Sequence, residues 1–97
     1  MPSSEEKFLP VVYILEIYEN TFYNEPSCTA LIAGPLHSIH VGDYLADQAL
    51  NPQPDVASGQ ILKVIALRHI ISTMRSDRVT HNLSVCVKAV PKPEVFT

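Results

Sequence analysis

The stretch that decides the fold is Val79-Thr80-His81-Asn82-Leu83-Ser84-Val85-Cys86-Val87-Lys88-Ala89-Val90. Its large apolar residues alternate with polar ones, and a period of two is the pattern of a strand with one face on a core. We therefore predict that the odd-numbered residues from Val79 to Ala89 face the core. The even-numbered residues from Thr80 to Lys88 are predicted to face outward.

A second long strand is predicted just before it, at Gln60–Ser72, with the polar segment 73–78 as the connection. This strand is apolar on both faces. Its two cations, Lys63 and Arg68, are an odd number of positions apart, so a regular strand would place them on opposite faces. That arrangement predicts a β-bulge or a strand buried on both sides. A helix over residues 61–74 is the alternative, but the β-branched content favours the strand.

Shorter strands are predicted in the first half of the chain. The first is apolar on both faces, so we expect another strand or a partner to cover part of it. Gly42-Asp43 is predicted to form a tight turn, and two prolines in the loop 47–58 argue against a strand there. The predicted strands are residues 11–18, 28–33, 39–41 and 44–46.

About six strands in 97 residues predict an all-β protein, a small closed or partly open antiparallel β-barrel. The length allows one domain, which we place at residues 8–90. Residues 1–7 are predicted to be a disordered leader. Residues 91–97, with two prolines, are predicted to be an extended tail.

The composition describes a folded domain, with 46% hydrophobic and 18% charged residues, and excludes collagen, coiled coil and low-complexity sequence. The net charge of −3 provides no overall basic field for duplex nucleic acid. No apolar run is long enough for a membrane span, and the acidic N-terminus makes a poor signal peptide. We therefore predict a cytoplasmic protein without membrane contact.

Chemical motifs are few. Neither a phosphate-binding GxxxxGK[ST] loop nor a GxSxG nucleophile elbow is present in the sequence. Cys28 and Cys86 lie among apolar neighbours and are predicted to be buried thiols, with one disulfide between them as the alternative. We predict that the protein is not an enzyme and that it has no cofactor.

The four histidines raise the question of a metal site. His37 and His40 are three residues apart, which on a strand places them on opposite faces. His69 and His81 are expected nearly opposite each other in the last hairpin, near enough to share a ligand. The alternative is two rim histidines with ordinary hydrogen bonds. We adopt that alternative and predict no metal ligands.

Two groups of residues are predicted to bind a partner. Five of the seven cations belong to the last two strands and their connection, where Arg75 and Arg78 flank Ser76-Asp77. These arginines suit a phosphate backbone or an acidic protein surface, and pairing with Asp77 is the alternative. Near the first hairpin, Tyr18, Phe22 and Tyr23 suit a protein contact or base stacking.

The order of these pieces resembles the β-barrel second domain of translational GTPases such as elongation factor Tu. The resemblance rests on Gly34, on Ile39-x-Val41-Gly42-Asp43-x-Leu45, on the strand from Gln60 and on Asp77-Arg78-Val79. It implies the barrel fold and contact with RNA or the ribosome. It carries one role over to this chain, turn formation by Gly42 and Asp43, and it does not imply GTPase activity because no phosphate loop exists.

We therefore expect a non-catalytic β-barrel module that mediates protein–protein interaction. The expected contact surface is the apolar outer face of the first strand, the Tyr18–Tyr23 hairpin or the basic turn at residues 75–78. An RNA- or ribosome-associated barrel is the alternative, and a small-molecule or metal binder that uses the barrel mouth and the loop 47–58 is a third. The apolar excess is also compatible with a homo-oligomer.

Overall fold

A computed structural model describes residues 8–35, 38–46 and 56–96. The leader predicted at residues 1–7 and most of the loop predicted at 47–58 lie outside these ranges. The described part contains five strands and one short 3-10 helix. They are β1 (Val11–Glu19), β2 (Cys28–Ile32), β3 (Tyr44–Leu45), β4 (Gln60–Ser72), β5 (Val79–Pro91) and the 3-10 helix Glu94–Phe96.

The strands form one sheet in the order β2-β1-β5-β4-β3, curled into a half-barrel. The prediction of an all-β protein is confirmed. The closed barrel of about six strands is wrong, because the described sheet has five strands and two open edges. It is also mixed, since β1 pairs with β5 in parallel while the other neighbours are antiparallel.

The strand predicted at residues 39–41 does not form, which explains the smaller number of strands. The Asp43 carboxylate accepts a hydrogen bond from the His40 amide at 2.7 Å, and the Asp43 amide donates to the His40 carbonyl at 3.1 Å. Gly42 has a φ of 98°, which favours glycine. These bonds close a turn, as predicted for Gly42-Asp43, and they use backbone groups that a strand would need.

The long hairpin β4–β5 confirms the two strands predicted there and overturns the helix over 61–74. A bulge interrupts the pairing between Val64 and Ala66, so that Val64 lies opposite Val87 while Ala66 already lies opposite Cys86. Because Ile65 is an extra residue, the side chains of β4 that follow it point to the opposite face from the one a regular strand would give them. The bulge predicted from Lys63 and Arg68 is therefore confirmed.

The core lies on one face of the sheet, which we call the core face. Its centre is formed by Ile17, Leu62, Val64, Val85 and Val87, all essentially inaccessible to solvent. These β-branched and leucine side chains come from the three central strands, where strands on both sides screen the backbone from water. The core face therefore agrees with the odd-numbered pattern predicted for Leu83, Val85 and Val87.

The opposite face of β5 differs from the prediction. Ser84 and Cys86 were expected to face outward, but both are buried, and Ser84 is 0% exposed. The reason is that β5 lies between β1 and β4, whose side chains Glu16, Tyr18 and Arg68 are in register beside these two residues. A central strand can thus be buried on both faces even when one face is polar.

The C-terminal segment packs beside the edge of the sheet. Pro91 is the last residue of β5, and the 3-10 helix follows at Glu94–Phe96. The Phe96 ring meets the Tyr44 ring edge to face, with 5.5 Å between their centroids. This contact connects the tail to β3.

The sheet has two ends, which carry different connections between strands. Val11 is in register with Val79 and Ser72 with Thr80, so the starts of β1 and β5 meet the end of β4. We call this the distal end and define it as residues 8–11 and 70–80. The other end, with the β1–β2 connection 20–27, is the proximal end.

Candidate functional site

The five predicted binding residues do not form one site. Tyr18, Phe22 and Tyr23 lie at the proximal end of β1, whereas Arg75 and Arg78 lie at the distal end. β1 has nine residues, which at about 3.3 Å per residue separate the two groups by about 26 Å. A single small ligand cannot contact both groups, and each end has to be considered separately.

At the proximal end, two of the three aromatic residues pack within the protein. Tyr18 is buried, and its ring meets the Phe22 ring edge to face at 5.2 Å between centroids. The Arg68 guanidinium lies 4.3 Å from the centroid of Phe22 and 5.5 Å from that of Tyr18. Only Tyr23 is open to solvent, at 99% exposure. Tyr18 and Phe22 therefore hold Arg68 by cation–π contact.

Arg68 is a residue that the sequence analysis did not connect with the aromatics. Its neighbour in register, Ser84, donates a hydrogen bond to Glu16 at 3.1 Å, and the buried Arg68 Nε has no hydrogen-bond partner within the described residues. The aromatic rings are thus its main neighbours. No local signal could reveal this, because Phe22 and Arg68 are far apart in the chain.

At the distal end, the two predicted arginines lie beside uncovered apolar side chains. Arg75 is exposed and Arg78 half-buried, and within the described ranges neither pairs with Asp77. Phe8 is 97% and Met74 95% exposed, and the Val79 amide donates to the Pro10 carbonyl, which fixes the segment before β1 beside β5. The other exposed apolar residues here are Leu9, Val11, Ile70 and Ile71.

This apolar group was not predicted from the sequence, although one signal for it is present. Met74 occurs inside a connection that is otherwise polar, and Phe8 and Leu9 precede the first strand. Only the parallel pairing of β1 with β5 brings these segments to one end. We call the six exposed large apolar residues of this end the distal apolar patch; it includes both faces of the sheet end, since the consecutive residues Ile70 and Ile71 point to opposite faces. Its members are Phe8, Leu9, Val11, Ile70, Ile71 and Met74.

A histidine pair lies on the core face near the distal end. His81 pairs in register with Ile71 and His69 with Leu83, so the two histidines are diagonal neighbours, close to the predicted arrangement. The His69 Nδ1 and the His81 Nε2 are 2.9 Å apart, and the ring planes are tilted by 40°. Within the described residues, no group of three or more histidine, cysteine, aspartate or glutamate side chains converges as a metal site.

The cysteines lie on opposite faces of the sheet, since Cys28 belongs to the core face and Cys86 is in register with Tyr18 on the other. Both are buried, as predicted, and no disulfide joins them. Burial raises the pKa of the Cys86 thiol, because desolvation disfavours the thiolate. A raised pKa is the reverse of what a nucleophilic cysteine requires.

An open groove of about 450 Å³ lies beside β3, between the turn at residues 40–43 and the 3-10 helix. Ile39, Tyr44 and Phe96 form its apolar walls, and Asp43 contributes a carboxylate. A small-molecule or metal binder was predicted to use the loop 47–58, which lies largely outside the described residues. We therefore assign no function to this groove.

Comparison with known proteins finds no matching family model, no matching curated protein and no matching solved structure. The resemblance to translation-factor barrels therefore stays an expectation from the sequence. The described residues contain no helix with the length and apolarity needed to cross a membrane.

Proposed function

We propose that this protein is a non-catalytic module that binds another protein through its distal end. The observation that carries the proposal is the distal apolar patch, in which Phe8 and Met74 are almost fully exposed. A small monomeric domain rarely leaves several large apolar side chains uncovered at one place, and such patches mark interaction surfaces. Burying them against a partner would supply the main driving force for binding.

The composition of the distal end fits a protein partner. Aromatic, methionine and arginine side chains are enriched in protein interfaces, and here Phe8, Met74 and Arg75 occur together. In this arrangement the apolar side chains contribute the buried centre, and Arg75 and Arg78 contribute charged groups at its rim. Such a surface suits a partner with an apolar centre and acidic residues around it.

An RNA- or ribosome-associated barrel is the second candidate, and it draws on Arg75, Arg78 and the resemblance noted above. Stacking on successive bases needs several accessible rings, but Tyr18 is buried and Phe22 is packed against Arg68, which leaves Tyr23 as the accessible ring of the three. The aromatics and the arginines are also at opposite ends of β1. The geometry therefore favours the protein-binding function, and a homo-oligomer is the special case in which the partner is a second copy.

The test compares partner binding by the protein and by the double variant Phe8→Ser, Met74→Ser, which removes apolar surface without adding charge. Tyr23→Ser is the matched control, because Tyr23 is equally exposed at the proximal end. Proteins are captured from native lysate with and without ribonuclease, the captured protein is purified, and its affinity for each variant is measured. We expect the double variant to bind roughly tenfold or more weakly and the control to bind normally.

Three results would contradict the proposal. Equal affinity of the double variant and the parent would remove the distal apolar patch from binding. Capture that ribonuclease abolishes, and that Arg75→Glu, Arg78→Glu eliminates, would establish the RNA alternative. Loss of binding in Tyr23→Ser alone would move the interface to the proximal end. Light scattering of the purified protein identifies a second copy as the partner if association is lost only in the double variant.

A further inference from the structure

We propose that His69 and His81 form a two-imidazole site for a divalent late transition metal of tetragonal geometry, Cu²⁺ or Ni²⁺. The inference is independent of the proposed protein-binding function. Its basis is the placement of the two rings on adjacent antiparallel strands, on the same face, with one nitrogen of each directed to the other. Neutral imidazole is a preferred ligand of these metals.

The separation of the two nitrogens indicates the geometry. The His69 Nδ1 and the His81 Nε2 are 2.9 Å apart. Two donors about 2.0 to 2.1 Å from one ion lie about 2.9 Å apart when the angle at the metal is 90°, and about 3.3 Å apart when it is tetrahedral. The hydrogen bond between the rings sets the separation in the metal-free state. This separation is close to that of neighbouring positions of a square or octahedral metal, so small ring rotations are enough and the strands need not move.

The rings have freedom to admit the ion. In the absence of metal, one imidazole donates a hydrogen bond to the other, so their lone pairs do not yet converge. For a metal to bind, the donating nitrogen must lose its proton, which moves to the other nitrogen of the same ring through exchange with water. Rotation about the last side-chain torsion, which is broad for histidine, then directs both lone pairs to a common point. His69 is exposed and His81 half-buried, so an ion can enter from solvent.

The surroundings leave room for one water molecule beside the rings and, within the described residues, supply no further strong ligand. A cavity of about 20 Å³ adjoins the pair and is walled by Tyr13, Ile32 and Pro35. About 10 to 15 Å³ suffices for one water molecule. Because no third histidine, carboxylate or thiol of the described residues joins the pair, water completes the coordination and the metal stays exchangeable.

The test uses the full chain without a polyhistidine tag. Stoichiometric Cu²⁺ is added, and the amide resonances are followed by NMR, because the paramagnetic ion broadens signals close to it. We expect broadening centred on His69, His81 and Leu83. Broadening centred elsewhere, or an unchanged spectrum, would overturn the proposal even if no variant folds.

Calorimetry with Cu²⁺ and Ni²⁺ then compares His69→Gln and His81→Gln with His40→Gln. His40 is the matched control, because it lies beside Asp43 in the separate turn at residues 40–43. Each of the first two variants loses the second attachment of a bidentate site, and we expect roughly a hundredfold weaker binding. The His40 variant should bind as the parent does. Weaker metal binding in only one of the variants His69→Gln and His81→Gln, or weaker binding in His40→Gln, would overturn the two-imidazole site.

Discussion

At the scale of single residues, Arg68 shows how a charged side chain is held on a sheet face with no carboxylate of the described residues as its ion-pair partner. Its guanidinium lies over the Phe22 ring at 4.3 Å, while the carboxylate of Glu16 accepts a hydrogen bond from Ser84. A flat, weakly hydrated guanidinium suits an aromatic face better than an ammonium does. The aromatic pair at the end of β1 therefore serves the fold, and Tyr23 is the member of the predicted group that is left to solvent.

We expect Arg68→Ala to lower the free energy of unfolding by about 1 to 2 kcal/mol, because the cation–π contact and the packing of the side-chain stem are both lost. In a double-mutant cycle with Phe22→Leu, the coupling should be about 0.5 to 1 kcal/mol. Urea denaturation measures both quantities. Arg75→Ala, at an exposed turn, is the control and should change stability by less than about 0.5 kcal/mol. Purely additive effects of Arg68 and Phe22 would contradict the assignment.

At the scale of elements, the bulge in β4 decides which side chains reach the core. Leu62 and Leu67 are an odd number of positions apart, yet both lie on the core face, since Ile65 adds one residue opposite β5. A regular strand would place one of the two leucines on the other face of the sheet, because a shift of one residue moves every side chain to the opposite face. The bulge also increases the local twist, in keeping with the curl of the sheet.

Deletion of Ile65 should be tolerated better than deletion of Lys63. Without Ile65 the ladder becomes regular and both leucines keep their face, so we expect a loss of about 1 to 2 kcal/mol. Without Lys63, Leu62 and Val64 become neighbours and cannot both face the core. We expect a loss of more than about 3 kcal/mol or no folding.

Chemical denaturation of the two deletion variants gives the comparison. Each variant lacks one residue of the same strand, so both strands are shortened equally. The difference in their free energies of unfolding therefore reports which face of the sheet the β4 side chains occupy. Equal destabilisation would show that the bulge does not set the alternation of β4.

At the scale of the whole molecule, stability is distributed unevenly along the sheet. The buried residues of β1, β4 and β5 lie toward the proximal end, and the end of the β4–β5 hairpin extends beyond them. The molecule measures 60 Å along its longest axis and has a radius of gyration of 16.7 Å, against about 13 Å for a compact domain of this length. The distal end, which carries the tip of the β4–β5 hairpin, thus has few buried residues.

Hydrogen exchange should reveal this gradient. The amides of Ser84, Val85 and Val87 lie between two paired strands in the core and are expected to exchange only by global unfolding. The amides of Ile71 and His81 should exchange roughly a hundredfold faster, by local opening of the hairpin end. Mass spectrometry or NMR provides the rates, and uniform protection along β5 would contradict the uneven distribution.

Local patterns predicted much of the fold. The strand at β5 with Leu83, Val85 and Val87 on the core face, the bulge in β4 and the Gly42-Asp43 turn each depend on a few neighbouring residues and were found as predicted. The rest of the alternation in β5 was not, since Ser84 and Cys86 are buried and Ala89 is exposed. The prediction of a strand at residues 39–41 was wrong. Apolar alternation over three residues cannot compete with a turn in which the Asp43 carboxylate accepts a hydrogen bond from the His40 amide.

The sequence by itself determined the class, the two long strands and the proximity of His69 and His81, because alternation and hairpin connectivity are local properties of the chain. Only the tertiary structure decided the open five-stranded sheet, the burial of Ser84 and Cys86, the contact of Arg68 with Phe22 and the gathering of Phe8 with Met74. Each of these depends on which strands become neighbours. The parallel pairing of β1 with β5 joins residues that are 68 positions apart, such as Val11 and Val79, and no periodicity within either segment encodes that choice.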